Sequence, residues 1–230
     1  MSKQFDWSGF KSEIEGIRYE ESIEFVTSRS KDYFWYSPIL QEELENKIGD
    51  LVVIPSNEDE VKIIASAIAK YKIPLTLRGG GTGNYGQCVP LKGGVIMIMT
   101  KLNKIIEFKK NSVRTQAGIR ISKLDDAALE RGFELLMYPS TRQTATIGGF
   151  LAGGSGGCGS LRNVMLRDPG NINYLKILTI EKQPQIIELY NEEIQKVQHA
   201  YGTNGIILEM ELALSKSKDW IHCAVLLDGY

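Results

Sequence analysis

The stretch that most constrains this chain is Arg78-Gly79-Gly80-Gly81-Thr82-Gly83-Asn84, set directly after the apolar run Ile73-Pro74-Leu75-Thr76-Leu77. Glycines leave the backbone N–H groups bare, so such a run can close on a bulky anion such as a pyrophosphate. Upstream, Leu51-Val52-Val53-Ile54 reads as a short buried strand stopped by Pro55. Ser56 or Asn57 then caps a helix with an acidic first turn (Glu58, Asp59, Glu60) and an apolar face of Val61, Ile64, Ala65 and Ile68, which runs out near Tyr71-Lys72. Strand, helix and strand in this order make a βαβ unit with a crossover, and the glycine run opens straight after its second strand.

Residues 1 to 44 carry only a loose periodicity, in Phe10, Ile14 and Ile17 and again in Ile23, Phe25 and Val26, and are expected to form short helices and turns. Their aromatic cluster Tyr33-Phe34-Trp35-Tyr36 is expected to pack on the domain, since buried aromatics are common and exposed ones costly. After the glycine run, Val95 to Met99, Leu102 to Phe108 and Val113 to Gly118 read as strands. Ser122 is expected to cap a helix from Lys123 to Arg131, with Leu124, Ala127, Ala128 and Leu129 inward and Gly132 as its left-handed stop. Two strands follow, Tyr174 to Ile180 and Ile186 to Tyr190, and then a last segment, Gly205 to Leu214, in which apolar and acidic residues alternate. From Trp220 to Tyr230 a further apolar strand is expected to begin.

A second glycine-rich stretch, Thr146 to Ser160, interleaves Ile147, Phe150 and Leu151, apolar residues for which a flexible linker has no use. Gly81-Thr82-Gly83-Asn84-Tyr85-Gly86 fits GxGxxG, but a Rossmann motif needs a helix to open within it, and here Pro90, Gly93 and Gly94 follow. No GK[ST] triplet follows at P-loop spacing. Tight turns between closely packed segments account for either run alone. Two such runs hung on apolar strands favour a shared ligand, because glycine-rich loops cost chain entropy unless something orders them.

Composition narrows the partners. Lys and Arg number 27 against 28 Asp and Glu, a net charge of −1, which gives no basic footprint for nucleic acid. The three cysteines, Cys88, Cys158 and Cys223, are widely spaced with no CxxC pair, so they read as reduced thiols, and no metal site is expected. The first residues lack the apolar core of a signal peptide, and no apolar run is long enough to span a bilayer, so the expectation is a cytoplasmic protein without a transmembrane segment.

Several stretches together carry a resemblance: Val52-Val53-Ile54-Pro55 with the helix from Glu58, Ile73-Pro74 leading into RGGGTGN at 78 to 84, and Gly93-Gly94-Val95. Gln116-Ala117-Gly118, Tyr138-Pro139-Ser140, Ala145 to Gly149 and Tyr201 to Ile207 continue it in order. At these residues the sequence resembles the FAD-binding domain of the vanillyl-alcohol oxidase and p-cresol methylhydroxylase type. It looks most like the branch holding the flavin subunit of glycolate oxidase and D-lactate dehydrogenases.

The resemblance implies an α+β fold of two subdomains, about residues 45–105 and 106–215 of an FAD-binding domain at 45–215, with FAD between them. It makes residues 1–44 a helical arm and 216–230 the start of a truncated substrate cap domain. By the family pattern, Arg78, Gly79, Gly80, Gly81, Thr82, Gly83 and Asn84 wrap the pyrophosphate, and Pro55 lies near the adenine. Pro139, Thr146, Gly148, Gly149, Ser155 and Gly156 line the path to the flavin ring, and the Ile206 backbone contacts the adenine or ribose side. The two loops would bring their donors to one dianion without a helix dipole, Thr82 and Ser155 adding hydroxyls. The first loop holds no histidine and Cys158 lacks the context of covalently flavinylated members, so the implied FAD is non-covalent. His199 and His222 read as structural or surface residues. The implied activity is oxidation of a 2-hydroxy acid or similar alcohol by hydride transfer to flavin, with catalytic residues beyond this chain. The alternative is a non-catalytic subunit or remnant that binds FAD and associates with a partner chain.

Overall fold

The computed structural model describes residues 5–221 and 223–227. His222, and the part of the expected last strand at 228–230, lie outside the described residues. In chain order the elements are α1 (Trp7–Glu13), β1 (Tyr19–Glu20), α2 (Ile23–Arg29), a 3-10 turn (Phe34–Tyr36), α3 (Pro38–Leu44), β2 (Leu51–Val53), α4 (Glu58–Tyr71), β3 (Leu75–Arg78) and β4 (Val95–Ile98). There follow β5 (Ile105–Phe108), β6 (Ser112–Gln116), α5 (Ile121–Leu129), β7 (Phe133–Leu135), α6 (Ile147–Gly153), α7 (Ser160–Asn163), β8 (Ile172–Leu178), β9 (Ile186–Tyr190) and β10 (Ile206–Lys216).

The strands fall into two sheets. The first has the order β1-β2-β4-β3, with β4 inserted between β2 and β3 and parallel to both. The expected βαβ crossover exists, but its two strands are not neighbours. Sequence order cannot show such an insertion, because β4 returns from beyond the glycine run. Both faces of this sheet are covered, which is why β2 and β4 read as unbroken apolar runs. Leu51, Val53, Val95 and Met97 pack with α1 and α4, while Val52, Ile54, Ile96 and Ile98 pack with Val26 of α2. Helix α4 is capped by Asn57, whose side chain accepts the Glu60 N–H, and ends at Lys72 in a left-handed conformation.

The second sheet is antiparallel, in the order β5-β6-β10-β8-β9, with β7 added to the far end of β10. A register shift between Ile207 and Glu209 lets β10 serve two cores: Ile206 and Leu208 join the first sheet's core, Met210, Leu212 and Leu214 the second's. The acidic residues alternating with them form a charged ladder on the other face. Arg114 meets Glu209 at 2.6 Å, Lys176 bridges Glu58 at 2.6 Å and Glu209 at 3.3 Å, and Ser112 donates to Glu211 at 2.7 Å.

Four local expectations are corrected. The N-terminal arm is not all helix and turn, since Tyr19 and Glu20 pair with Val53 and Val52 in the first sheet. Of its aromatic cluster only Phe34 is buried; Tyr33, Trp35 and Tyr36 are exposed, the last two stacked at 4.0 Å. Helix α5 starts at Ile121, so Ser122 lies inside it, and Asp125 rather than Leu129 is buried, accepting from Leu135 N–H and the Arg142 guanidinium. Residues 217–221 and 223–227 form no strand and leave Trp220, Ile221, Val225, Leu226 and Leu227 exposed. Among the described residues no helix is long and apolar enough to cross a membrane.

Candidate functional site

A cleft of about 380 Å³ opens where β3, α6 and the segment leading into β10 converge. Its first wall is the glycine run. Strand β3 ends at Arg78, and Gly79 to Asn84 follow in irregular backbone along the cleft. Its second wall is the N-terminal turn of α6, capped by Thr146, whose Oγ1 accepts the Gly149 N–H at 3.2 Å. The third is Tyr201 to Ile207, with Ile206 beginning β10.

The two glycine stretches touch. A Cβ added at Gly79 would lie 2.2 Å from Thr146 Oγ1, and one at Gly80 would lie 2.3 Å from the Thr144 carbonyl oxygen. Gly148 is seated as closely, donating its N–H to Ala117 O at 2.8 Å, where a Cβ would come within 2.6 Å of the Ala117 methyl. Glycine gives room at Gly79 for the Thr146 side chain and at Gly80 for the Thr144 backbone, so the two loops form one surface.

The second stretch is not a plain loop: residues 147–153 are helical, and the N–H groups of Ile147, Gly148 and Gly149 are spent on Ile119 O, Ala117 O and Thr146 Oγ1. Gly148, Gly149 and Gly153 hide this in the sequence, being poor helix formers, and only the Thr146 cap signals it.

Of the residues expected at the site, Arg78 to Asn84, Pro139, Thr146, Gly148, Gly149, Ser155 and Ile206 line the cleft. Pro55 and Gly156 do not; Gly156 instead packs near Met165 and Ser160. The Arg78 guanidinium is engaged elsewhere. Its Nη1 donates to the backbone carbonyls of Arg29 (3.0 Å) and Lys31 (2.7 Å) and reaches Cys88 Sγ at 3.3 Å. Burial pushes the Cys88 thiol up to about 11 despite the neighbouring guanidinium, so it stays protonated.

Sequence reasoning gave no site role to His199, Tyr201 or Cys88, which also line the cleft. His199 is exposed, as expected, and its Nδ1 lies 2.7 Å from Arg167 Nη1. His199 and Tyr201 both have positive φ, 53° and 50°, and their N–H groups bond to Leu151 O and Ala152 O of α6. The motif Tyr201 to Ile207 pointed to this region, but nothing in it indicated the side chains facing the cleft.

Among the described residues no Asp, Glu or Lys lines the cleft. Bare backbone donors, the hydroxyls of Thr82, Thr141 and Ser155, and the absence of a carboxylate suit a dianionic diphosphate, while Phe150, Met99 and Ile206 offer apolar surface to ring systems. Residues 49–181 match the family model described as an FAD binding domain.

The chain belongs to this FAD-binding domain family. The domain is 36% identical over 158 residues to a D-lactate dehydrogenase of Archaeoglobus fulgidus, covering 66% of this chain and 32% of that protein. It is 29% identical over 121 residues to glycolate oxidase subunit GlcD of Bacillus subtilis, covering 52% and 26%. The chain thus spans about a quarter to a third of the length of these curated relatives. Among solved structures, alkyldihydroxyacetonephosphate synthase superposes with a TM-score of 0.78 at 20% identity over 92% of this chain and 41% of that one. A BBE-like protein of Physcomitrella patens gives 0.71 at 17% identity over 90% and 44%. These likenesses bear out the α+β FAD-binding fold.

Proposed function

We propose that this chain is the FAD-binding module of a flavin-dependent oxidoreductase acting on a 2-hydroxy acid or similar alcohol. The single observation that supports it best is the meeting of Gly79 and Gly80 with Thr144 to Thr146 in a cleft that no carboxylate lines among the described residues. The two sheets correspond in this reading to subdomains at about 45–105 and 106–215, with 1–44 as an arm. The backbone from Arg78 to Asn84 holds the diphosphate, with Thr82 and Ser155 as hydroxyl donors and the start of α6 as the facing wall. Pro139 and Ile206 flank the ring systems. FAD supplies the hydride acceptor; the chain binds and orients it and excludes water.

Binding is non-covalent in this reading. Cys88 is buried and protonated, Cys158 lies outside the cleft lining, and the ring of His199 is held by Arg167. Titration of the folded, flavin-free protein with FAD tests the module: saturable quenching of flavin fluorescence is expected, and its absence overturns the reading. Denaturation in acid or detergent is expected to release all flavin into the supernatant.

A second reading, that the chain is a non-catalytic subunit, is favoured by the exposed Trp220, Ile221, Val225, Leu226 and Leu227. Turnover of 2-hydroxy acids by the FAD-loaded chain alone would overturn it. Turnover only with a co-purifying polypeptide would support it.

A further inference from the structure

Arg78 lines the cleft, yet its guanidinium is bonded into the arm that precedes β2. Arg78 is 7% exposed, has no carboxylate within ion-pair distance among the described residues, and spends its Nη1 on the carbonyls of Arg29 and Lys31. Gly81, with φ +66°, makes room for it: a Cβ there would lie 2.0 Å from Arg78 Nη2. A second tie runs alongside, from Tyr33 N–H to Gly83 O at 2.7 Å. A third group fills the gap. Asp32 is 4% exposed, bonds Phe34 N–H through Oδ1, and turns a partnerless Oδ2 toward Gly83, 3.1 Å from where a Cβ would stand.

We propose that Arg78 is a positioning residue: its guanidinium fastens residues 29–34 beneath the glycine loop, and this clasp holds the loop in the shape that receives the ligand's diphosphate. Both carbonyls are met by the one nitrogen Nη1, which stands one bond farther from the backbone than the Nζ of a lysine would. The arm before β2 is thereby part of the ligand site. Binding and arm docking are then coupled, and each strengthens the other by the same factor. The inference rests on the FAD reading for the identity of the ligand but not for the clasp itself.

The carbonyls that Arg78 holds belong to Arg29 and Lys31, the residues after which trypsin cuts. In flavin-free protein below its unfolding temperature, Arg78→Met is expected to speed cleavage after Arg29 by about tenfold or more, with rates at other exposed lysines unchanged. It is also expected to weaken FAD binding by about tenfold or more, with Arg78→Lys recovering only part of both losses. In the wild type, FAD is expected to slow the cut after Arg29.

Faster FAD loss with no change in tryptic cutting of the free protein would make Arg78 a direct phosphate ligand and overturn the proposal. So would faster cutting with unchanged FAD affinity. Should Arg78→Met cut everywhere, Tyr33→Pro decides: it removes the N–H given to Gly83 at a residue whose φ is −90°, and the same paired effects are expected. Wild-type protein that takes up no FAD would overturn the cofactor reading, and the tryptic rates would still decide the clasp.

Discussion

Gly80→Ala puts the contact between the two loops to a direct test. The new Cβ would stand 2.3 Å from Thr144 O, 2.9 Å from Thr144 C and 3.0 Å from Ala145 Cα, all backbone atoms that cannot rotate away. Ordinary contact begins near 3.4 Å, so the loop and the 144–145 segment must part by about 1 Å. Because Gly80 has no positive φ, the penalty is steric and not conformational. Overpacking of this kind costs about 1–3 kcal/mol. In a chain of this size each kcal/mol lowers Tm by about 2–4 °C, readable by calorimetry on flavin-free protein. Expressed against ligand binding, the same energy weakens FAD by about 5- to 150-fold. Gly153→Ala is the control. Nothing lies within 4 Å of its Cβ position, and at the end of α6 alanine is expected to leave stability unchanged or raise it by up to about 1 kcal/mol. A Gly80→Ala protein with wild-type Tm and wild-type FAD affinity would refute the reasoning that the two stretches form one surface.

Thiol titration of native protein at pH 8 is expected to count Cys158 and Cys223, both exposed, and to reach the buried Cys88 only on unfolding; three fast thiols would contradict the burial. Thr146→Val removes the acceptor for Gly149 N–H and is expected to cost about 1 kcal/mol by denaturant unfolding. Glu211 is pulled up by burial, but hydrogen bonds from Lys109 and Ser112 outweigh this and hold its carboxyl below the usual range. A depressed folded value stabilises above the unfolded one and is lost as pH falls. Glu211→Gln is therefore expected to cost about 2 kcal/mol at pH 7 and progressively less below about pH 4.5. A cost independent of pH would refute that assignment.

The first sheet was largely legible because its elements are punctuated: Pro55 ends β2, Asn57 caps α4, Pro74 opens the way to β3 and Gly94 leads into β4. The placing of β4 between β2 and β3 was not, since strand order is set by packing across the glycine loop and leaves no local mark. The two-residue β1 is too short for alternation to show, and α6 is masked by its glycines. At the site, the glycines and their grouping could be read, because small residues are absent or present letter by letter. The direction of a side chain could not. Arg78 sits in the loop, yet its guanidinium points into the arm, and its partners are main-chain carbonyls at positions any residue could supply.

The central position of β10 also dictates an order of assembly. The first sheet is complete once residue 98 has emerged, whereas the second lacks its middle strand until residue 216 has been made. Strand β6 waits through some ninety residues of synthesis, and β8 through about thirty, with their inner edges unpaired and exposed to mispairing until β10 slots between them. Ile206, the first residue of that strand, is also a wall of the cleft. Cofactor capture on the ribosome therefore waits for β10, and uptake of flavin by a nascent chain would report that this strand has arrived.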